Sequence, residues 1–306
     1  MRRTRTTAAL AATCLTAAAL TAGPPAAAAT PEGASGPVIV QNGRWYLRTT
    51  PTSGPANLTF NYGRAGSDRD VPVAGDWDGD GHETPGIARI SPRGDFPGTF
   101  GWHLRNSNTS GPADISFEFG VPAMTDFLRG TPIAGNFDPT DDADEVGYVI
   151  REGDSLAWTI RTDLTPTSGT VTFVYGRGTD SPVVGDWDGD GVDTAGVIRG
   201  NQWLLTDAHE QGGPAGLSFR YGSADRSLPE AKIVGDWNGD GVDTPGVLRN
   251  NPVTQRGGGY EVWLVTNRNA SGPAQASFTF GNDSFAFDTN PQATPLFLPR
   301  LTIEVT

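Results

Sequence analysis

The sequence predicts an all-β protein, a five-bladed β-propeller of four-stranded antiparallel blades, and three observations carry that prediction. One segment recurs four times: PVAGDWDGDGHETPGIAR from Pro72, PIAGNFDPTDDADEVGYVIR from Pro132, PVVGDWDGDGVDTAGVIR from Pro182 and KIVGDWNGDGVDTPGVLR from Lys232, at spacings of 60, 50 and 50 residues. Between the copies recur a WxL run at Trp45, Trp102, Trp158, Trp203 and Trp263 and an FxYG or FxFG run ending at Gly63, Gly120, Gly176, Gly222 and Gly281. These are short apolar runs bounded by Gly, Pro or Asp, the pattern of strands and turns and not the 3.6-residue period of helices. Finally, the chain opens out of phase, which accounts for a fifth blade.

Residues 1–29 stand outside the fold. Arg2, Arg3 and Arg5 precede an apolar stretch from Ala8 to Ala22, and an Ala-x-Ala match precedes Thr30. That is the layout of a cleaved secretory signal peptide, so the protein is expected to be secreted and extracellular. Residues 30–36 form a short linker, 37–300 the propeller and 301–306 a tail. The only cysteine, Cys14, falls in the leader, so the mature chain has no disulfide and bound metal is the expected staple. The whole chain has 22 basic and 35 acidic residues; losing three arginines with the leader takes the net charge from -13 to -16. Such a balance excludes a basic nucleic-acid footprint. No apolar run beyond the leader reaches the roughly 18 residues of a membrane span.

The repeats fall near 37–70, 71–130, 131–180, 181–230 and 231–300. Each holds a strand a (PVVGD type), b (GVIR type), c (WxL) and d (FxYG), with a Ser-Gly-Pro-Ala turn between c and d at Ser53, Ser110 and Ser271 and altered forms at Ser168 and Gly213. The first repeat lacks strand a: Pro37 to Gln41 reads as b, followed by c at Trp45 and d at Phe60. The segment Thr294 to Pro299 falls where a further strand a is due, so the termini are expected to close the ring together and remove exposed sheet edges.

The loop between a and b carries the candidate chemistry. In DWDGDGVDT, Asp186, Asp188 and Asp190 occupy positions 1, 3 and 5, and Gly191 allows a sharp turn, so alternate oxygens converge on one point. A hard cation such as Ca2+ takes six to eight oxygens, which these carboxylates, the Val192 carbonyl and water can supply. The same spacing gives Asp76, Asp78, Asp80 with the His82 carbonyl, and Asp236, Asn238, Asp240 with the Val242 carbonyl. About three sites are expected, with a fourth on offer at Asn136, Asp138, Asp141 and Glu145, where Pro139 and Thr140 break the spacing. An EF-hand is excluded because Ile87, Val197 and Val247 stand where its bidentate Glu belongs. The plainer alternative is that Asp and Gly merely suit tight turns and cap backbone amides.

These loops resemble the FG-GAP and VCBS-type calcium-loop repeats found in α-integrin propellers and in many secreted bacterial proteins. The resemblance covers nearly all of residues 37–300 and implies Ca2+ at Asp76, Asp78, Asp80, Asp186, Asp188, Asp190, Asp236, Asn238 and Asp240. It fails at position 9, where the family's last carboxylate is replaced by Thr84, Thr194 or Thr244 and an acid stands one residue earlier as Glu83, Asp193 or Asp243. Either that hydroxyl or that shifted carboxylate completes the shell, or affinity is weak.

No nucleophile elbow, zinc-protease helix, Walker loop or catalytic cysteine is present, and the three histidines lie apart from any nucleophile. The expected function is therefore a non-catalytic, monomeric extracellular binding or scaffolding module for a protein or glycan partner. A carbohydrate-binding lectin is the alternative, using repeated tryptophans between blades; a polysaccharide-active glycosidase, needing only two carboxylates, is the third reading. All eight tryptophans belong to the repeat, and packing is the expected role. The arginines that follow strands b and c are expected to pair with loop carboxylates.

Overall fold

The structure is a computed structural model that describes residues 34–90, 99–120, 130–208, 213–225, 230–250 and 261–281. The expected signal peptide, the tail and the expected closing strand at Thr294–Pro299 lie outside the described residues. Blade 1 comprises β1 (Val38–Gln41), β2 (Arg44–Leu47) and β3 (Leu58–Asn61). Blade 2 comprises β4 (Asp70–Gly75), β5 (Thr84–Ile90), β6 (Phe100–Leu104) and β7 (Ile115–Phe119). In blade 3 the strands are β8 (Thr131–Gly135), β9 (Glu145–Glu152), β10 (Ser155–Arg161) and β11 (Thr170–Arg177). Blade 4 holds β12 (Ser181–Gly185), β13 (Thr194–Arg199), β14 (Gln202–Leu205) and β15 (Leu217–Arg220), and blade 5 holds β16 (Glu230–Gly235), β17 (Thr244–Asn250), β18 (Glu261–Val265) and β19 (Ala276–Thr279). Every blade is an antiparallel meander in which sequence neighbours pair.

Within a blade, register places each c-strand tryptophan opposite the d-strand phenylalanine: Trp45 faces Phe60, Trp102 faces Phe117, Trp158 faces Phe173, Trp203 faces Phe219 and Trp263 faces Phe278. In four of these pairs the rings stack nearly parallel, for example 8° apart at Trp203 and Phe219 with centroids 6.2 Å apart. Each indole is buried and its Nε1–H donates to a carbonyl at the end of strand d, as from Trp158 to Tyr175 O at 2.8 Å. A large aromatic with its one polar atom satisfied is a strong packing unit. Packing is therefore what these five tryptophans do.

Between blades, the strands that open blades 2 to 5 lie side by side, β4 against β8, β8 against β12 and β12 against β16, so they line the middle of the ring. Five apolar clusters fill the seams, and one of them joins Trp237, Leu248 and Trp263 of blade 5 to Ile39 and Tyr46 of blade 1. The ring thus closes on itself. The Ser-Gly-Pro turn has a seam role as well. Ser110, Ser271 and Ser53 accept the backbone N–H of Asn61, Arg220 and Thr279, each at 2.9 Å and each from the preceding blade. At the seam of blades 2 and 3, whose turn serine is Ser168, the Arg161 guanidinium instead sits over the Phe117 ring, 4.5 Å from its centroid.

The arginines differ from expectation. Arg89, Arg199 and Arg249 on strand b pair with Asp70, Asp180 and Glu230 at the start of strand a, at 2.7, 2.7 and 2.6 Å. These are not loop acids. Antiparallel pairing puts the end of b beside the start of a, the far end of the hairpin from the loop. Arg48 and Arg105 at the end of strand c bind their own c–d turn, donating to Pro55 O and Pro112 O at 2.8 and 2.5 Å.

Candidate metal loops and the seam latch

Position 1 of each regular loop is a buried aspartate that gathers backbone amides. Asp186 Oδ1 accepts Gly189 N at 2.7 Å and Asp190 N at 3.2 Å, and its Oδ2 accepts Gly191 N at 2.9 Å. Asp76 accepts Asp80 N and Gly81 N, and Asp236 accepts the amides of residues 238 to 241. Gly191 has φ of 91°, a left-handed conformation that closes the curl and that a side chain would strain. Position 5 adds a turn of its own, with Asp80, Asp190 and Asp240 accepting the amides of His82, Val192 and Val242. Turn capping therefore operates in all three loops, and it leaves the carboxylates converged. One carboxylate oxygen from each of Asp76, Asp78 and Asp80 lies within 4.8 Å of the others, and the same holds for Asp186, Asp188 and Asp190. Either triplet is placed to hold a metal ion.

The electrostatics agree with that geometry. Asp78 is pushed above the usual carboxylate range by burial and then by the charges of Asp80 and Asp76. Like charges this close favour a counter-ion or a proton. Two neighbours that the repeat alone did not single out belong here. Asn106 hydrogen-bonds Asp78, while Asp207 is raised by burial and by Asp188 and Asp190. Both stand four residues after the c-strand tryptophan, a position whose polar character is the signal that would have found them. In the third loop, Asn238 Nδ2 donates to Asp240 Oδ2 at 2.8 Å, and Asn238 Oδ1 is buried with no hydrogen-bond partner. A buried oxygen of that kind suits a cation.

The position 8 and 9 residues have other geometry. Thr84 donates its hydroxyl to Gly75 O on strand a at 3.1 Å, and Thr244 donates to Thr266 O at 2.6 Å, with Gly235 O 3.3 Å away. Thr194 opens β13, where it pairs with Gly185. Asp193 and Asp243 reach into the preceding blade. Asp193 Oδ2 accepts Asn136 N at 2.9 Å while Asp193 N donates to Asn136 O at 2.6 Å. Asp243 does the same with Asp186, at 3.1 and 2.7 Å, and Asp144 with Asp76, at 3.0 and 2.7 Å. At the closing seam Ser35 takes this place, its Oγ accepting Asp236 N at 3.0 Å and its N–H donating to Asp236 O at 2.6 Å. Each is a two-bond latch from one blade to the next. The glycine before the loop is obligatory for it: a Cβ on Gly75 would stand 2.8 Å from Asp144 Oδ2 and 2.7 Å from the Trp77 ring. Glu83, at the same repeat position in blade 2, is buried, and its carbonyl accepts Asn108 Nδ2 at 3.0 Å.

In the irregular loop, Asn136 donates from Nδ2 to Asp141 O and Gly191 O, Asp138 and Asp141 cap Thr140 N and Ala143 N, and Glu145 accepts Phe137 N. Its acids form no convergent triplet among the described residues. No family model matches the chain, and neither does any curated protein or solved structure.

Proposed function

We propose that the chain is a secreted, monomeric propeller of the FG-GAP and VCBS type, stapled by Ca2+ and acting as a non-catalytic extracellular binding or scaffolding module. The observation that supports this most is the pair of aspartate triplets on hairpins whose first aspartate is also the latch point to the next blade. An ion there would neutralise the three carboxylates and fix loop and seam together. Asp76, Asp78 and Asp80 with Asn106, and Asp186, Asp188 and Asp190 with Asp207, are the residues that would hold it; Asp236, Asn238 and Asp240 form the third site. The irregular loop at Asn136 stays outside the proposal.

The non-catalytic reading is supported by the geometry at His103, which sits 3.2 Å from Ser116 Oγ through Nδ1. Arg89 Nη1 lies 3.1 Å from His103 Nε2. A guanidinium only donates, so Nε2 is the acceptor and the proton is on Nδ1, facing the serine. An imidazole in that tautomer cannot take the serine's proton. The lectin reading loses its repeated aromatic platform, because all eight tryptophans are buried.

The test is calcium titration of residues 30–306 followed by unfolding, with terbium luminescence sensitised by Trp77, Trp187 and Trp237. A raised unfolding midpoint with terbium emission displaced by calcium is expected; no response in either overturns the stapled reading. Pull-down on insoluble polysaccharides and cell walls, in calcium and in chelator, then assigns the partner class.

A further inference from the structure

One cleft at the ring surface, between blades 1 and 2, has chemistry that the ion loops do not use. It encloses about 240 Å3 and is lined by Asn61, Tyr62, Gly63, Arg64, Ile87, Arg89, His103, Gly111 and Ala113. Ile87, Ala113 and the glycines make an apolar floor, and Arg64, Arg89 and Asn61 supply polar groups. The Tyr62 hydroxyl is committed to His103 O at 3.0 Å. Its volume falls below the roughly 300–1,000 Å3 of drug-sized sites, so it suits one small ring and not an extended ligand.

The donors decide the ligand's charge. Arg89 commits Nε and Nη2 to Asp70, at 2.7 and 2.9 Å, and Nη1 to His103 Nε2. Three of its five N–H groups are thereby used, which leaves one on Nη1 and one on Nη2. A guanidinium with donors to spare suits a carboxylate. Arg64 gives its backbone N–H to Asp70 and no side-chain hydrogen bond or ion pair to any described residue. Arg64 and Arg89 therefore line one apolar-floored notch, and Asp70 and His103 hold the Arg89 guanidinium in place. The other blades carry Tyr46, Thr159, Leu204 and Leu264 where blade 2 has His103, so this imidazole anchor is peculiar to the cleft.

We infer that the cleft between blades 1 and 2 binds a carboxylate-bearing ring of monosaccharide size, a uronate, with Arg64 and Arg89 as ligands to the carboxylate and His103 as a positioning residue for Arg89. The inference deepens the binding-module reading by naming a ligand class, and it does not depend on ions in the loops.

The full chain is titrated with galacturonate, with an oligogalacturonide, and with glucose, sulfate and N-acetylglutamate as controls, by chemical-shift perturbation and calorimetry in calcium and in chelator. Saturable galacturonate binding that perturbs the Arg64 and His103 amides, with the controls at least tenfold weaker, supports it. Oligogalacturonide binding stronger than that of the monomer assigns the source as a polymer; equal binding assigns the free acid. Arg64→Ala is expected to weaken binding at least tenfold with an unchanged unfolding midpoint. His103→Leu, which installs the residue found in blades 4 and 5, is expected to weaken it several-fold, and His103→Asn, which restores an acceptor, to recover part of the loss. Equal binding of glucose, sulfate or N-acetylglutamate overturns the uronate assignment, and absence of galacturonate binding by a chain that still responds to calcium overturns the site while leaving the module reading intact.

Discussion

The loops at Asp186 and Asn136 occupy equivalent places in neighbouring blades and have opposite polarity. Asp186 accepts three amides and curls its loop around a negative point, whereas Asn136 donates its side-chain amide to two carbonyls. The extra residues Pro139 and Thr140 leave Asp138 and Asp141 capping local turns. A buried Glu145 stands where the other loops have threonine. Yet both loops receive the same latch, from Asp243 and Asp193 respectively. The seam therefore does not need the ion loop, and fold and candidate metal site are separable in this ring.

The largest effect that tests the contrast comes from Asp186→Ala. Three loop amides lose their acceptor, and at about 1–3 kcal/mol for a buried unsatisfied group the loss in calcium is about 3 kcal/mol or more. Asn136→Ala is expected to cost about 1–2 kcal/mol, since the carbonyls it serves keep other options. Urea unfolding reads both, and equal losses would break the comparison. Next, calcium at a hundredfold excess over its dissociation constant is expected to add about 2.7 kcal/mol for each site. Asp188→Asn should remove one such share while Asp138→Asn removes none, as seen in melting curves with and without chelator.

A further contrast separates the loops by pH. Burial pushes Glu145 up to about 8 from 4.5, so the folded chain keeps this proton where the unfolded chain has lost it. Its contribution to stability is therefore complete below pH 4.5 and declines as pH rises towards 8. Glu145→Gln should flatten that decline when melting temperatures are compared at pH 5 and pH 8; an unchanged slope would remove Glu145 as its source. The smallest expected change is in Asp207→Asn, a several-fold loss of calcium affinity confined to the Asp186 loop, measured by terbium displacement.

What lies within a blade was legible in the chain, because strand period, turn residues and the 1-3-5 aspartate spacing are local. Trp203 facing Phe219 needs only the hairpin register that the repeat implies. What lies between blades was not. Asp193 serves Asn136, a residue 57 positions away on another blade, and no spacing inside the repeat states that its carboxylate leaves its own loop. The serine of the Ser-Gly-Pro turn reads as turn chemistry until the preceding blade's d strand is seen beside it. Arg89 and its relatives reach acids outside the loops for a similar reason: antiparallel register decides which end of the hairpin an arginine reaches.

The latch at Ser35 also has a bearing on the order in which the ring assembles. Three latches join residues 68, 57 and 57 positions apart, and each can form as soon as the next blade is made. The fourth joins Ser35 to Asp236 across 201 positions. Closing that longer loop costs about 1 kcal/mol more in chain entropy than closing one of 57 residues. Contacts of high sequence separation also form slowly. Refolding should accordingly show a late phase in which blades 1 to 5 are already joined in chain order and the seam between blades 5 and 1 is the last to form.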